Sequence, residues 1–216
     1  MSKPDAATPR ERYRAQVREE IKKHAWEQIA AAGASALSLN AIAKQIGMSG
    51  PALYRYFASR DELITELIRD AYRSLADAFR ARAEAGTDLS DLAHVLRGWA
   101  LEDPQRYFLL YGTPVPGYRA PEDTTRIAAE IMAVILDACT PEHLPATTPS
   151  PLQAHLDDHR AWAGQHPAPP SALHRALAFW TRLHGVLSLE LAGHFTGMGF
   201  DPARLYAAET ETITRQ

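Results

Sequence analysis

Arg55 stands between two hydroxyl-bearing aromatics, Tyr54 and Tyr56, in a segment that continues into Phe57. On a helical wheel with Leu53 and Phe57 turned inward, Arg55 and Pro51 face outward and the two tyrosines fall on the flanks. A guanidinium so placed can meet a guanine edge or a phosphate, and tyrosine hydroxyls can donate to phosphate oxygens on either rim of a groove. A second set is aromatic. Trp99, Tyr107, Phe108, Tyr111, Tyr118, Trp162, Phe179 and Trp180 are spread along the second half of the chain, with His184 one helical turn after Trp180. Most such rings pack against one another, yet an apolar wall with a few polar tips also suits a small-molecule pocket. A third set is His155 and His159, at i and i+4, with Asp158 beside the second and His143, His166, His174 and His194 nearby in sequence. Two such ligands make half a zinc site, and nothing in the spacing supplies the rest, so no metal is expected. Phosphate-binding glycine loops, nucleophile elbows and His-Glu-x-x-His are missing, so neither catalysis nor a cofactor is expected.

The elements that carry these residues are read from proline placement, because a helix interior does not tolerate proline cheaply. Residues 10–50, 52–103, 122–140 and 171–201 are proline-free, and seven of the 15 prolines fall in 141–170. Apolar residues recur at spacings of three and four, as in Leu63, Leu67, Ala71, Leu75 and Phe79, and no sustained alternation is present, so the fold is all-α. The segments 114–121 and 141–170 read as connections, with at most a short helix over about 151–164, and the first seven residues read as a loose tail. Thr8-Pro9-Arg10-Glu11 is a capping box that starts a helix running to Gly33. Its buried stripe is Val17, Ile21, Ala25 and Ile29, while Arg10, Arg14, Arg18 and Lys22 repeat at i+4 on another face. Ser38 caps a second helix ending at Gly47, and Ser49 caps a third lasting to about Phe57. Ser59-Arg60-Asp61-Glu62 opens a long fourth helix to about Ala85. Two short helices joined by Gly47-Met48-Ser49 between longer ones have the dimensions of a helix-turn-helix, with Ile42, Ile46, Met48, Leu53 and Phe57 as the shared core and Ala43 small at the crossing.

Charge agrees once it is resolved along the chain. The 216 residues carry a net −3, but residues 1–60 hold 10 Lys/Arg against 5 Asp/Glu and the remainder 13 against 21. A basic contact module on an acidic body is the pattern expected of a nucleic-acid partner confined to one end. A chain this long can bury roughly 70% of its unfolded surface without staples, in keeping with the lone Cys139. That single thiol, with no signal-peptide pattern and no apolar run approaching the ~20 residues of a membrane span, predicts a cytoplasmic protein.

The run from Ser38 to Phe57, Ser-Leu-Asn-Ala-Ile-Ala-Lys-Gln-Ile-Gly-Met-Ser-Gly-Pro-Ala-Leu-Tyr-Arg-Tyr-Phe, followed by Ser59-Arg60-Asp61-Glu62-Leu63, closely resembles the DNA-binding region of the TetR family of transcriptional regulators. The resemblance covers about residues 10–70. It implies a helix-turn-helix domain over 8–60 and a helical effector-binding and dimerisation domain over 61–216. In that family the positions of Asn40, Gly50, Pro51, Ala52, Tyr54 and Arg55 face bases or the groove wall, and those of Ser38, Tyr54, Tyr56 and Arg60 touch phosphates, with Ser49 counted among the contacts. Phe179-Trp180-Thr181-Arg182-Leu183-His184-Gly185 resembles the Trp-x3-His-Gly signature of one C-terminal subtype, as does the loop from Tyr111 to Tyr118. By the same resemblance Trp99, Tyr107, Phe108, Tyr111, Tyr118, Trp180 and His184 are candidates to line an effector pocket. Helices over about 171–195 and 202–213 would pair with a second copy, through Leu183, Gly185, Val186, Leu187, Leu191 and Ala192. The function implied is a homodimeric repressor of a palindromic operator, released by a small-molecule effector. Two rivals are a ligand-binding protein of the same fold without operator binding, and a metal-dependent helical enzyme.

Overall fold

A computed structural model of the chain describes residues 8–86, 88–119, 121–140 and 148–215; the expected tail over 1–7 and His143 lie outside them. The described residues form ten α-helices with no strand. They divide into two units, the first within Met1–Ile68 and Thr113–Ala120, the second within Arg69–Gly112 and Pro121–Gln216.

In the first unit, α1 (Pro9–Ala32) opens on the expected box: Thr8 Oγ1 accepts from the Glu11 amide at 3.3 Å and Glu11 returns a carboxylate oxygen to the Thr8 amide at 2.7 Å. Gly33, at φ +78°, ends it. Val17, Ile21, Ala25 and Ile29 are its buried stripe. Ser38 caps α2 (Leu39–Gln45), accepting from the Ala41 amide at 3.3 Å, and the positive φ of Gly47 turns the chain into α3 (Gly50–Leu53). That third helix is shorter than its sequence predicts. The Arg55 and Tyr56 amides bond three residues back, to Ala52 and Leu53, and Phe57 shares the Leu53 carbonyl, so the segment up to Phe57 tightens into turns rather than continuing as α-helix. Ser49 occupies the N-cap position but makes no side-chain capping bond. α4 (Arg60–Glu84) begins where Ser59 Oγ accepts from the Glu62 amide at 3.0 Å, and its residues continue into the second unit.

The second unit adds α5 (Leu89–Glu102), α6 (Pro104–Tyr111), α7 (Glu122–Cys139), α8 (Pro151–Asp158), α9 (Pro170–Leu191) and α10 (Pro202–Thr214). Helix α9 packs against α5, α7, α8 and α10, so it is covered on several sides. Leu183 and Leu187 have no exposed surface, and Val186 very little. Leu183, Val186 and Leu187 are part of the protomer's own core, whereas Gly185 and Ala192, expected at the same face, are exposed. The solvent side of α9 carries Thr181, Arg182, Gly185, Leu189 and Ala192, with Leu191 half-buried. The helix stops at Leu191 rather than near Phe195, because Gly193 takes φ +78° and turns the chain. Cys139 is buried, and burial pushes its thiol up to about 12, which leaves it inert. No helix among the described residues is long and apolar enough to cross a membrane.

Leu183→Ala should cost about 2–5 kcal/mol of unfolding free energy, as expected for emptying a filled core position. Chemical denaturation measures it, and a loss under about 0.5 kcal/mol would put the side chain at a surface instead.

Candidate functional site

The first unit presents one coherent outward surface. Leu53 and Phe57 have no exposed area, whereas Pro51, Tyr54 and Arg55 are exposed and Gly50, Ala52 and Tyr56 half-buried, the arrangement the helical wheel predicts. Asn40, near the start of α2, is exposed and lies beside the start of α3: a Cβ built on Gly50 would meet Asn40 Oδ1 at 3.4 Å. The structure thus brings Asn40 and Gly50 together although ten residues separate them in sequence. Ser38 uses its oxygen as a cap acceptor, leaving its proton to donate, and Ser49 offers an exposed hydroxyl.

Arg60 has a different commitment. Its Nη2 donates to the Ala34 carbonyl at 2.8 Å, which ties the start of α4 to the turn after α1. Two arginines with a larger role were legible only as part of an i+4 row. Arg14 Nη2 donates to the Arg55 carbonyl at 3.1 Å, and Arg18 Nη1 donates to the Tyr56 carbonyl. Arg18 also lies over the Phe57 ring at 4.1 Å and pairs with Glu66 at 3.2 Å. These side chains supply donors to carbonyls left unsatisfied where a helix ends, and they place positive charge at its negative end. They hold the backbone that carries Arg55.

The second unit gathers aromatic residues from three helices. Tyr107 and Tyr111 of α6, Trp180 and His184 of α9, and Tyr72 of α4 form one ring cluster. His184 stands 4.2 Å from Trp180 and 4.3 Å from Tyr111 between ring centroids, and stacks on Tyr107 at 5.5 Å. The Tyr107 hydroxyl lies 3.0 Å from His184 Nδ1 and 2.9 Å from Ser188 Oγ. Burial holds His184 down to about 4, so the imidazole is neutral, and burial likewise raises Tyr107 and, more strongly, Tyr111. Phe108 sets its edge on Tyr107 at 5.7 Å. Trp99 is placed differently, donating to Ser74 at 3.1 Å beneath the Arg106 guanidinium. Tyr118 belongs to the first unit, where its hydroxyl accepts from Thr65 at 3.1 Å.

The histidine pair has local partners. His155 and His159 are exposed, their rings 4.2 Å apart, and His159 Nδ1 bonds the His155 carbonyl at 2.9 Å. His166 bonds Asp137. Among the described residues no three His, Cys, Asp or Glu side chains are grouped to hold a metal.

Arg18→Met keeps the apolar stem and removes both donors. It should cost about 1–3 kcal/mol of stability and weaken DNA binding while leaving the salt slope intact. A slope lowered by about 0.9 would mean that Arg18 itself touches a phosphate. His184 gives a pH signature. Its folded value of about 4 lies below the ordinary 6.5, so its contribution is fully present above 6.5 and is lost as pH falls toward 4. The unfolded chain takes the proton first, and about 3 kcal/mol should disappear across that window. Denaturation at several pH values, against His184→Phe, isolates this component.

Comparison with known proteins identifies the family. Residues 21–67 match the model of bacterial regulatory proteins of the tetR family, and residues 89–213 match the tetracyclin repressor-like C-terminal domain. The chain is 34% identical over 215 residues to the HTH-type transcriptional regulators Mb1846 of Mycobacterium bovis and Rv1816 of Mycobacterium tuberculosis, covering 93% of this chain and 92% of each relative. Among solved structures, the regulatory protein SCO4313 superposes with a TM-score of 0.90 at 72% identity, covering 97% of this chain and all of that one. A TetR/AcrR-family regulator from Thermobifida fusca shares the fold at a TM-score of 0.56 and 18% identity, over 92% of this chain and 97% of its own. The family is one of regulators rather than enzymes, and its C-terminal domain is typically a ligand-binding domain. With both domains matched and the relatives aligned over nearly their whole length, the chain belongs to the TetR family and is a DNA-binding transcriptional regulator.

Proposed function

We propose that this regulator is a cytoplasmic homodimer that represses transcription from a pseudo-palindromic operator and releases it when a small molecule enters the C-terminal domain. Residues 8–60 are the DNA-binding headpiece in this reading, and 61–216 bind the effector and the second copy. The observation that carries it is the exposure of Arg55, flanked by Tyr54 and Tyr56, on a segment whose opposite face is buried through Leu53 and Phe57.

Arg55 and Asn40 are the polar base readers, with Gly50, Pro51 and Ala52 admitting close approach. Ser38, Ser49, Tyr54 and Tyr56 donate to phosphates, and Arg60 adds a phosphate contact through donors that Ala34 leaves unused. The effector pocket centres on Tyr107, Tyr111, Trp180 and His184, with Phe108 at its edge and Trp99 outside that ring contact. The Trp180 to Gly185 spacing supports assignment to the Trp-x3-His-Gly subtype. For the second copy the exposed side of α9, with Gly185, Leu189 and Ala192, replaces the buried leucines. Recognition segments of such a dimer must sit about 34–36 Å apart, or a multiple of that. Effector binding that favours another setting of α4 spoils this spacing, and a coupling of ~1–3 kcal/mol changes operator affinity roughly 5- to 150-fold.

Fluorescence anisotropy with DNA flanking the protein's own gene tests the proposal. Tight, salt-dependent binding to a two-fold site is expected, and binding no better than to random DNA would favour the ligand-binding rival. Arg55→Ala should cost ~1–3 kcal/mol and flatten preference at one operator position, whereas Tyr54→Phe should weaken all sequences alike. For Arg60→Ala a salt slope lower by about 0.9 is expected, and an unchanged slope would leave only its anchoring of Ala34.

A further inference from the structure

His184 Nε2 and the Tyr111 hydroxyl are buried polar atoms with no hydrogen-bond partner. They belong to adjacent rings, 4.3 Å apart between centroids, on different helices. A buried polar group left unpaired is costly, and two in one cluster call for a common cause. The rest of the cluster is occupied: Tyr107 serves His184 Nδ1, the His184 carbonyl and Ser188. The phenolic proton can go to the His184 carbonyl while Nδ1–H donates to the phenol oxygen, or it can go to Nδ1, and the Ser188 hydroxyl can donate in turn, so either imidazole tautomer fits this relay. Nε2 can therefore donate or accept, and so can the Tyr111 hydroxyl.

We propose that His184 Nε2 and the Tyr111 hydroxyl together hold the head of an uncharged ligand, a single oxygen of an alcohol, phenol or ketone carried on an apolar or aromatic body. This rests on the reading of the C-terminal domain as the effector site and adds the ligand's chemical class. The absence of charge follows from the surroundings. Tyr72, Tyr107, Tyr111, Trp180, His184 and Ser188 bring no ionised group to the cluster. Burial alone displaces His184, and the groups acting on Tyr111 besides burial are two other tyrosines. A carboxylate or ammonium entering there would shed its water without meeting a counter-ion. The body meets the faces of Trp180 and the tyrosines, whose rings favour edge-on or offset contact with another ring.

The test uses the full-length protein with the side-chain nitrogens of histidine isotope-labelled, titrated at pH 7.5 with phenol, benzoate and benzylammonium. Phenol is expected to move the His184 Nε2 resonance and to saturate at a concentration at least tenfold lower than either ion. Tyr111→Phe and His184→Phe should each weaken phenol binding about tenfold or more, with the melting transition of each variant showing that it is folded. If benzoate or benzylammonium binds the cluster as tightly as phenol, the ligand class is wrong while the effector site stands. If phenol binds but neither variant weakens it, the two atoms are not the anchor. If no probe shifts His184, both the ligand class and this cluster as the effector site fall.

Discussion

A helix of four residues cannot hold itself, because fixing its dihedrals costs more than its few hydrogen bonds return. α3 is that short, and the segment carrying Arg55 runs on from it in turns. Its geometry is therefore imposed from outside, by burial of Leu53 and Phe57 and by arginines from α1 that reach its final carbonyls. Arg18 is central: one guanidinium meets the Tyr56 carbonyl, the Phe57 ring and the Glu66 carboxylate, and so joins α1, the segment that follows α3, and α4. A lysine there would carry the charge but lack the planar fork that addresses several partners. Everything proposed for the DNA-reading surface depends on this support.

Much of that support is invisible in sequence, for a physical reason. The capping box at Thr8, the Ser59 cap on the Glu62 amide, the glycine stop at Gly33 and the buried stripe of α1 depend on residues within a turn or two of one another, so spacing suffices to find them, although Glu62 returns its carboxylate to the Ala58 amide rather than to Ser59. The targets of Arg14 and Arg18 are main-chain carbonyls 41 and 38 residues away, and a carbonyl leaves no mark in the residue type. The same limit applies to α9. Its apolar period was readable, but which leucines face inward depends on how many neighbours cover the helix, and four do. Leu183 and Leu187, which the apolar period alone leaves free to face either way, lie in the core. Trp99 and Tyr118, alike in type to the clustered rings, are drawn elsewhere by Ser74, Arg106 and Thr65.

The second unit separates its charges from its aromatic cluster. Ion pairs join Arg73 and Arg80 to Glu130, Arg97 to Glu190 and Arg182 to Glu209. Tyr107, Tyr111, Trp180 and His184 form a region where the one titratable base remains neutral at physiological pH. Ionic contacts between helices are thereby kept apart from the ring cluster, whose protonation does not change over the ordinary physiological pH range.

The division of labour within residues 50–57 also bears on how such a headpiece can diversify. Packing is concentrated in Leu53 and Phe57, while the outward positions include Gly50, Pro51, Ala52, Tyr54 and Arg55, none fully buried. Substitutions at exposed sites generally move stability by no more than about 0.5 kcal/mol. The exposed residues Pro51, Tyr54 and Arg55 are therefore those whose chemistry can change while the frame that presents them persists, so surface identity and fold stability are largely separable along this segment.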